Sequence, residues 1–221
     1  KKRVERIMQI LWIRHGRTQG NVERRYVGRT DEGLTADAKA ILQDRKRRFQ
    51  DLFSKARSAD ERKKAECFWP ELVYTSPMVR CRETAGILFP GQEAMIWEGF
   101  QETDFGDFEY KNYEELKEDP IYQAWIDSNG ELPIPNGESG LDFRQRCCNA
   151  YERCIASAKA QSREKIAIVC HGGTIMSVME RYGVPQKSFY EWQISNGCGI
   201  LTELIEGEKK GYGMREISKW E

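Results

Sequence analysis

The 221-residue sequence has few histidines, no excess of charge of either sign and no long hydrophobic run. Lysine plus arginine and aspartate plus glutamate both number 35, so the formal net charge is zero. A chain without a basic excess lacks the general electrostatic surface that binds nucleic acid or acidic lipid. No run approaches the roughly 20 apolar residues that span a bilayer, and the basic first residues lack the apolar segment of a secretory signal. We therefore expect a cytoplasmic protein with neither a nucleic-acid nor a membrane partner.

The seven cysteines are odd in number and scattered, and no two are spaced as Cys-x-x-Cys. Such spacing favours neither a disulfide framework nor a zinc site. No cysteine lies in a motif typical of a catalytic thiol. We expect reduced cysteines in or near the core, and no thiol-based catalysis.

Short apolar runs alternate with helical patterns along the chain. Strands are predicted at residues 9–13, 72–75 and 165–170, and two more at 199–207 and 211–220. Helical patterns lie between them, and the charged segment 54–66, which has no apolar anchor, is predicted to be a surface insertion. This alternation predicts one α/β domain over residues 1–221, a three-layer α/β/α sandwich with a mostly parallel central sheet.

Two helices have recognisable start signals. Thr35 is a candidate N-cap for a helix over residues 35–56, with Ile41 and Leu42 on its apolar face. Ser76 is a candidate N-cap for the helix after the second strand, with Pro77 at its first position. Both helices are expected to begin directly after the cap.

The only two histidines, His15 and His171, each follow a predicted strand directly and precede a glycine. Ligands of open α/β sheets bind at the carboxyl ends of the strands, so the two are expected to be neighbours. Arg14 abuts His15, and Arg80 lies one turn into the helix after the second strand. A guanidinium presents fixed planar donors that suit phosphate oxygens. Although most arginines form surface salt bridges, two at strand exits beside two histidines indicate a dianion site and phosphoryl transfer.

Five sequence blocks occur in one order: RHGRTQGN, SPMVRCRETA, ETDFGDFE, PNGES and CHGG. Together they resemble the histidine phosphatase superfamily, also called the phosphoglycerate mutase-like family, over residues 10 to about 180. The resemblance implies the phosphoglycerate mutase-like form of the α/β/α sandwich. The stretch FGDFEYKNYEEL is most similar to bacterial alpha-ribazole phosphatases and broad-specificity phosphatases.

The resemblance also implies roles for individual residues. His15 matches the nucleophile, Arg14 the phosphate ligand beside it, Arg80 the arginine of the second block and His171 the second histidine. Glu102 matches the proton donor; from the acidic stretch alone, its near rivals are Asp104 and Asp107. The substrate-binding residues implied are Thr18, Asn21, Gly28 and Gly172.

The implied roles make physical sense. A nucleophilic imidazole must be neutral, and the charges of Arg14 and Arg80 should lower the pKa of His15. Its other ring nitrogen should be held by a backbone carbonyl in the turn at Gly16. The arginines and a protonated His171 would offset phosphoryl charge, so no metal and no cofactor are expected.

Three positions depart from the family pattern. Ala38 and Tyr110 stand where glycine is usual, and Phe108 stands where tryptophan is common. The first is expected to be harmless at a helix start. The other two are expected to alter contacts near the proton donor.

We therefore expect a metal-independent phosphomonoesterase of the histidine acid phosphatase type that hydrolyses a small phosphorylated metabolite. Alpha-ribazole 5′-phosphate is a candidate substrate by analogy alone. The alternatives are a cofactor-dependent phosphoglycerate mutase, a catalytically silent protein that binds phosphorylated ligands, and, less favoured, a metallohydrolase. The chain looks short between the third and fourth blocks, where mutases carry added segments. A monomer and a homodimer are both compatible with the sequence.

Overall fold

A computed structural model describes residues 8–55, 68–207 and 211–220. The described residues form a seven-stranded sheet in the order β3-β2-β4-β1-β6-β7-β5. Its strands are β1 (Gln9–Arg14), β2 (Leu72–Thr75), β3 (Met95–Ile96), β4 (Lys165–Cys170), β5 (Gly183–Val184), β6 (Gly199–Gly207) and β7 (Gly211–Trp220). Four of the strand pairs are parallel, and only β6 runs antiparallel to its neighbours β1 and β7.

Seven α-helices lie within the described part of the chain. They are α1 (Gln19–Val22), α2 (Ala36–Lys55), α3 (Val79–Leu88), α4 (Tyr113–Leu116), α5 (Pro120–Asp127), α6 (Gly140–Ala160) and α7 (Gly172–Tyr182). Short 3₁₀ segments occupy Glu98–Phe100, Gly106–Phe108 and Phe189–Trp192. No helix among these is both long enough and apolar enough to span a membrane.

The central strands have buried side chains on both faces, and this produces three layers. In β1, Ile10 and Trp12 pack with buried residues of α6 and α7. Leu11 and Ile13 point the other way and pack with buried residues of α2 and α3. Because successive side chains of a strand point to opposite faces, the continuous apolar run is what lets helices cover both sides. The predicted α/β sandwich is confirmed.

A smaller apolar cluster lies outside the sheet, in the segment between β3 and α6. Its buried members are Phe108, Leu116, Tyr122 and Ile134, with Tyr26, Phe105 and Trp125 packed against them. The rings of Tyr122 and Trp125 are stacked at 6.0 Å and 29°. The rings of this cluster therefore pack on one another outside the sheet.

The local predictions hold with two corrections. Strands at 72–75 and 165–170 are as predicted, β1 runs one residue further than 13, and Thr35 Oγ1 accepts the N–H of Ala38 as an N-cap should. Ile41, predicted for the apolar face of α2, is 52% exposed. Helix α3 begins at Val79 with Met78 as its N-cap, and Ser76 lies before it. The prediction that Ser76 starts the helix was wrong, because its hydroxyl binds His171.

The cysteines of the described residues are all buried and unpaired, as expected, whereas Cys67 lies outside those residues. Burial raises the pKa of Cys81 to about 12, so this thiol stays protonated near neutral pH. The proposed insertion at 54–66 lies outside the described residues, apart from its first two positions at the end of α2.

Candidate active site

His15 follows β1 and is almost fully buried, with 4% of its surface exposed. Its Nδ1 lies 2.7 Å from the carbonyl oxygen of Gly16. A carbonyl only accepts, so Nδ1 carries the proton and Nε2 keeps its lone pair. This confirms the predicted acceptor in the Gly16 turn. Thr84 supports the same turn, because its Oγ1 accepts the Gly16 N–H at 3.0 Å.

The pKa of His15 is lowered well below its ordinary value. Burial is the largest cause, followed by the charge of Arg80 and then that of Arg14. The sequence predicted that the two arginines lower the pKa of His15. It did not predict the larger effect of burial on that pKa. Near neutral pH the imidazole is therefore the neutral form that nucleophilic attack requires.

Arg14 is the last residue of β1, and its guanidinium lines a cavity beside His15. Nη1 donates to the carbonyl of Ile194 at 2.8 Å. The buried Nε has no hydrogen-bond partner among the described residues. A buried N–H donor without a partner is costly, and a ligand oxygen would satisfy it.

Arg80, on α3, is fully buried and is held by carbonyls of a single loop. Nη1 donates to Thr30 at 2.8 Å, and Nη2 donates to Gly28 at 2.8 Å and to Val27 at 3.3 Å. The Glu109 carboxylate fastens this loop, because it accepts the N–H groups of Gly28 and Thr30. Glu109 thereby positions Arg80 without touching it, a role that the sequence did not reveal.

His171 is the N-cap of α7 and is fully buried. Its ring lies 5.1 Å from that of His15, centroid to centroid, so the two predicted neighbours do meet. Nδ1 accepts from Arg80 Nε at 3.4 Å, and Nε2 lies 2.7 Å from Ser76 Oγ. Because Arg80 can only donate, Nδ1 is unprotonated and Nε2 donates to Ser76.

The surroundings of His171 disfavour the protonated form that was expected from the sequence. Burial, followed by the charges of Arg80 and His15, lowers its pKa well below the ordinary value. The sequence placed His171 beside positive charge but did not show that water is excluded from it. A bound dianion would act in the opposite direction and favour the protonated ring.

The two buried histidines make stability pH-dependent. Their pKa values are depressed in the folded protein, so their contribution is complete above the unfolded-state pKa of about 6.5 and is lost as pH falls from there toward the folded values. Each should remove about 1.4 kcal/mol of unfolding free energy per pH unit in that window. Urea unfolding at pH 7, 6 and 5 in phosphate-free buffer measures this slope. A His171→Asn variant should lose the contribution of one histidine to this slope. An unchanged slope would contradict a lowered pKa for His171 in the folded protein.

Glu102 lines the cavity together with Arg14 and Gly173. Its Oε1 accepts the N–H of Thr103 at 3.0 Å, and Oε2 accepts the N–H of Gly173 at 3.3 Å. Each oxygen therefore keeps a lone pair on which a proton can sit. The rivals are engaged elsewhere: Asp104 binds the Gly106 N–H and Arg29, and Asp107 accepts from Asn136.

Thr18 and Asn21 form a reciprocal cap at the start of α1. Thr18 Oγ1 accepts the Asn21 N–H, and Asn21 Oδ1 accepts the Thr18 N–H, both at 3.2 Å.

Asn196, which the sequence analysis did not single out, donates at 3.2 Å to Asn21 Oδ1 and to the His15 carbonyl. Gly197, in the left-handed region at φ 72°, donates its N–H to the carbonyls of both Arg14 and His15. The Asn-Gly dipeptide is a turn signal that could have drawn attention to this loop.

The two predicted glycines differ in position. Gly172 lines the cavity, and a Cβ there would lie 3.2 Å from the Arg14 guanidinium. Gly28 is buried behind the cavity residues Thr103 and Phe105, with its N–H bound to Glu109 and its carbonyl to Arg80. A Cβ at Gly28 would lie 2.0 Å from the Thr103 carbonyl oxygen. Gly28 therefore supports Arg80, and its contact with a substrate stays a prediction.

The contacts of Tyr110 explain how a tyrosine can stand where the family usually has glycine. Its φ is 59°, in the left-handed region that favours glycine. Its hydroxyl donates to Glu32 at 3.1 Å, and the Arg25 guanidinium lies over its ring. These contacts offset the backbone strain that a tyrosine has at this position.

A cavity of about 500 Å³ opens next to these residues. Arg14, Glu102, Gly172 and Gly173 line it on the side of the histidines. Among the described residues, no group of three or more His, Cys, Asp or Glu side chains is arranged to hold a metal ion.

The sequence model of the histidine phosphatase superfamily (branch 1) matches residues 10–212. The chain therefore belongs to the histidine phosphatase superfamily, whose members are phosphatases and mutases and whose characteristic mechanism uses a phosphohistidine.

Two curated relatives cover nearly the whole chain. It is 26% identical to the adenosylcobalamin/alpha-ribazole phosphatase of Escherichia coli (strain K12), over 89% of this chain and 90% of that protein. It is also 26% identical to the 2,3-bisphosphoglycerate-dependent phosphoglycerate mutase of Parvibaculum lavamentivorans, over 94% of this chain and 95% of that protein.

Solved structures agree with the fold. The alpha-ribazole phosphatase from Shigella flexneri superposes with a TM-score of 0.71 at 27% identity, covering 95% of this chain and 96% of that one. A phosphoglycerate mutase from Thermus thermophilus superposes with a TM-score of 0.65 at 23% identity, covering 97% and 99%. The predicted phosphoglycerate mutase-like fold is confirmed.

Proposed function

We propose that the protein is a metal-independent phosphomonoesterase of the histidine acid phosphatase type, with His15 as nucleophile. The observation that carries this is a neutral, buried His15 whose Nε2 lone pair is unused and whose Nδ1–H is fixed by Gly16. Arg14 and Arg80 supply the positive charge for a phosphoryl group, and the unpartnered Nε of Arg14 is an available donor.

The reaction has two steps. His15 Nε2 attacks phosphorus, the bond from phosphorus to the ester oxygen breaks, and Glu102 donates its proton to the departing alcohol. Water then attacks the phosphohistidine, Glu102 takes a proton from it, and the phosphorus–nitrogen bond breaks. Inorganic phosphate leaves, and both His15 and Glu102 return to their starting forms.

Two arginines take the place that a metal ion has in many phosphoryl-transfer sites. They remain charged at any physiological pH, so charge neutralisation needs no bound ion. Thr18, Asn21, Gly28 and Gly172 are the residues proposed to bind the substrate. Alpha-ribazole 5′-phosphate is the candidate substrate, supported by the relatives from Escherichia coli and Shigella flexneri.

Trapping the phosphoenzyme tests the proposal. The protein is mixed with a phosphomonoester and quenched in alkali, where phosphohistidine survives, and the digested peptides are analysed by mass spectrometry. Phosphate on the His15 peptide, with turnover unaffected by EDTA, is expected. Turnover without phosphate on His15, or turnover abolished by EDTA, contradicts the mechanism. If no phosphomonoester gives turnover or a phosphohistidine adduct, the protein is a catalytically silent binding protein.

Phosphoglycerate mutase is the second candidate, favoured by the relative from Parvibaculum lavamentivorans. The two activities share the phosphohistidine and differ in the acceptor of the phosphoryl group. Assays of 3-phosphoglycerate with and without 2,3-bisphosphoglycerate separate them. Rapid mutase turnover with little phosphate release would replace the phosphatase assignment.

A further inference from the structure

The cavity lining contains two chemically different sets of side chains. Arg14 and Glu102 are charged groups of the proposed phosphoryl site. Aromatic side chains from five separate segments of the chain line the same cavity, namely Tyr26, Phe105, Trp125, Phe143, Phe189 and Tyr190. We call the part of the cavity lined by these rings the aromatic chamber. Because Glu102 and the rings line one cavity, an alcohol that receives the Glu102 proton would extend along the aromatic lining.

One wall of the chamber is fixed by its own packing. The Trp125 ring is stacked on Tyr122 and is edge-on to Tyr26 at 5.6 Å, while Phe108 lies 5.7 Å from it. Tyr26 in turn packs on Phe105 at 5.0 Å. A flat apolar surface that is already ordered binds a flat ring without losing further side-chain entropy.

Another part of the lining is formed by Phe189 and Tyr190 of the 3₁₀ segment Phe189–Trp192. The rings of Phe189 and Tyr190 are perpendicular at 5.1 Å, and the Arg144 guanidinium lies 4.7 Å from the Phe189 ring centre. Tyr190 is 57% exposed although it lines the chamber. A large exposed aromatic side chain at a cavity mouth is typical of a ligand contact.

The charged side chains that line the chamber are already paired, so they are poorly suited to bind a second anionic group of a ligand. Arg144 lies within ion-pair range of Glu131 and Glu180, and Glu138 is bound by Arg146. The remaining polar lining includes the amides of Asn129 and Gln193, neutral groups suited to the heteroatoms of a ring. At about 500 Å³ the cavity is also within the range of pockets that take drug-sized ligands.

We propose that the aromatic chamber binds the leaving group of the substrate, and that this group carries a planar heteroaromatic ring, as in a nucleoside. The inference rests on the proposed function, because it places the ester oxygen at Glu102. It narrows the substrate class to ring-bearing phosphomonoesters, and it makes Tyr190 a specificity-determining residue.

The experiment compares esters that differ only by the ring. Alpha-ribazole 5′-phosphate and adenosine 5′-monophosphate carry a base on the sugar phosphate, and ribose 5-phosphate does not. At least one ring-bearing ester should exceed ribose 5-phosphate by at least about 10-fold in kcat/KM, the effect of one stacking contact. Tyr190→Ala should lower that advantage by about 10-fold, because only the ring-bearing esters lose a stacking contact.

Ile41→Ala is the control. Ile41 is a similarly exposed apolar side chain, at 52%, but it lies on α2 and does not line the chamber, so its removal should change none of the three rates. Binding is measured separately by quenching of tryptophan fluorescence with the unphosphorylated nucleosides, which needs no catalysis. Equal rates for all three esters, without nucleoside binding, would overturn the chamber proposal and leave the phosphatase function intact. Nucleoside binding that Tyr190→Ala weakens, without hydrolysis of any ester, would support the chamber and overturn the phosphatase function.

Discussion

Replacing His15 by alanine should lower kcat for phosphomonoester hydrolysis by at least about 10⁴-fold, because the proposed mechanism forms its covalent bond at His15 Nε2. No other described side chain places a neutral nitrogen there, since Nδ1 of His171 accepts from Arg80 and its Nε2 donates to Ser76. Rates are measured with the best ester from the ring comparison, and phosphoenzyme is sought by alkaline quench. The adduct should be absent.

The variant should still bind phosphate. Arg14 and Arg80 are held by backbone carbonyls that alanine at position 15 leaves in place. Because the variant does not hydrolyse the ester, its phosphate affinity cannot be obtained from inhibition of the reaction. The affinity is measured instead from the rise in thermal midpoint with added phosphate. Added imidazole should restore part of the turnover by entering the vacated space. A variant that hydrolyses the ester within 10-fold of wild type would exclude His15 as nucleophile.

Replacing Glu102 by glutamine should lower the rate by about 10³-fold for an alkyl ester, whose alkoxide leaves only with a proton. The rate for 4-nitrophenyl phosphate should fall by no more than about 10-fold, because its phenolate leaves unaided. Glutamine keeps one oxygen for the Thr103 or Gly173 N–H but cannot donate a proton as an acid. The quantity that tests the assignment is therefore the ratio of the two losses.

Asp104→Asn is the control, because this acidic neighbour is paired with Arg29 away from the histidines. Asparagine can still accept the Gly106 N–H, and we expect both substrates to react within about 3-fold of wild type. If the loss of rate depended on the leaving group in Asp104→Asn and not in Glu102→Gln, Asp104 would be the proton donor. Equal losses for the two esters in Glu102→Gln would give Glu102 a positioning role.

Much of the fold and part of the site could be predicted from local features. The apolar runs at β2 and β4 have the predicted ends, since a strand buried on both faces must be continuously apolar. The two histidines follow parallel neighbours, β1 and β4, so their meeting follows from the topology. The Gly16 acceptor could be predicted because it is one residue away from the ring it holds.

The errors and omissions share another cause. Ser76 looked like a helix cap because its local sequence fits one, yet its partner His171 is 95 residues away. Glu109 holds the loop under Arg80 from about 80 residues further along the chain. Neither contact leaves a local pattern, because any polar side chain could occupy such a position.

The sequence by itself determined the α/β layering, the strand ends that carry His15 and His171, and the kinds of side chain that meet there. These properties depend on hydrophobic periodicity and on short motifs, which act over a few residues. Only the tertiary structure decided which groups hold Arg80, that burial lowers the pKa of His171, and that aromatic side chains line the same cavity as Glu102. Exclusion of water and the shape of a cavity depend on segments that are distant in sequence, and they exist only once the chain is packed.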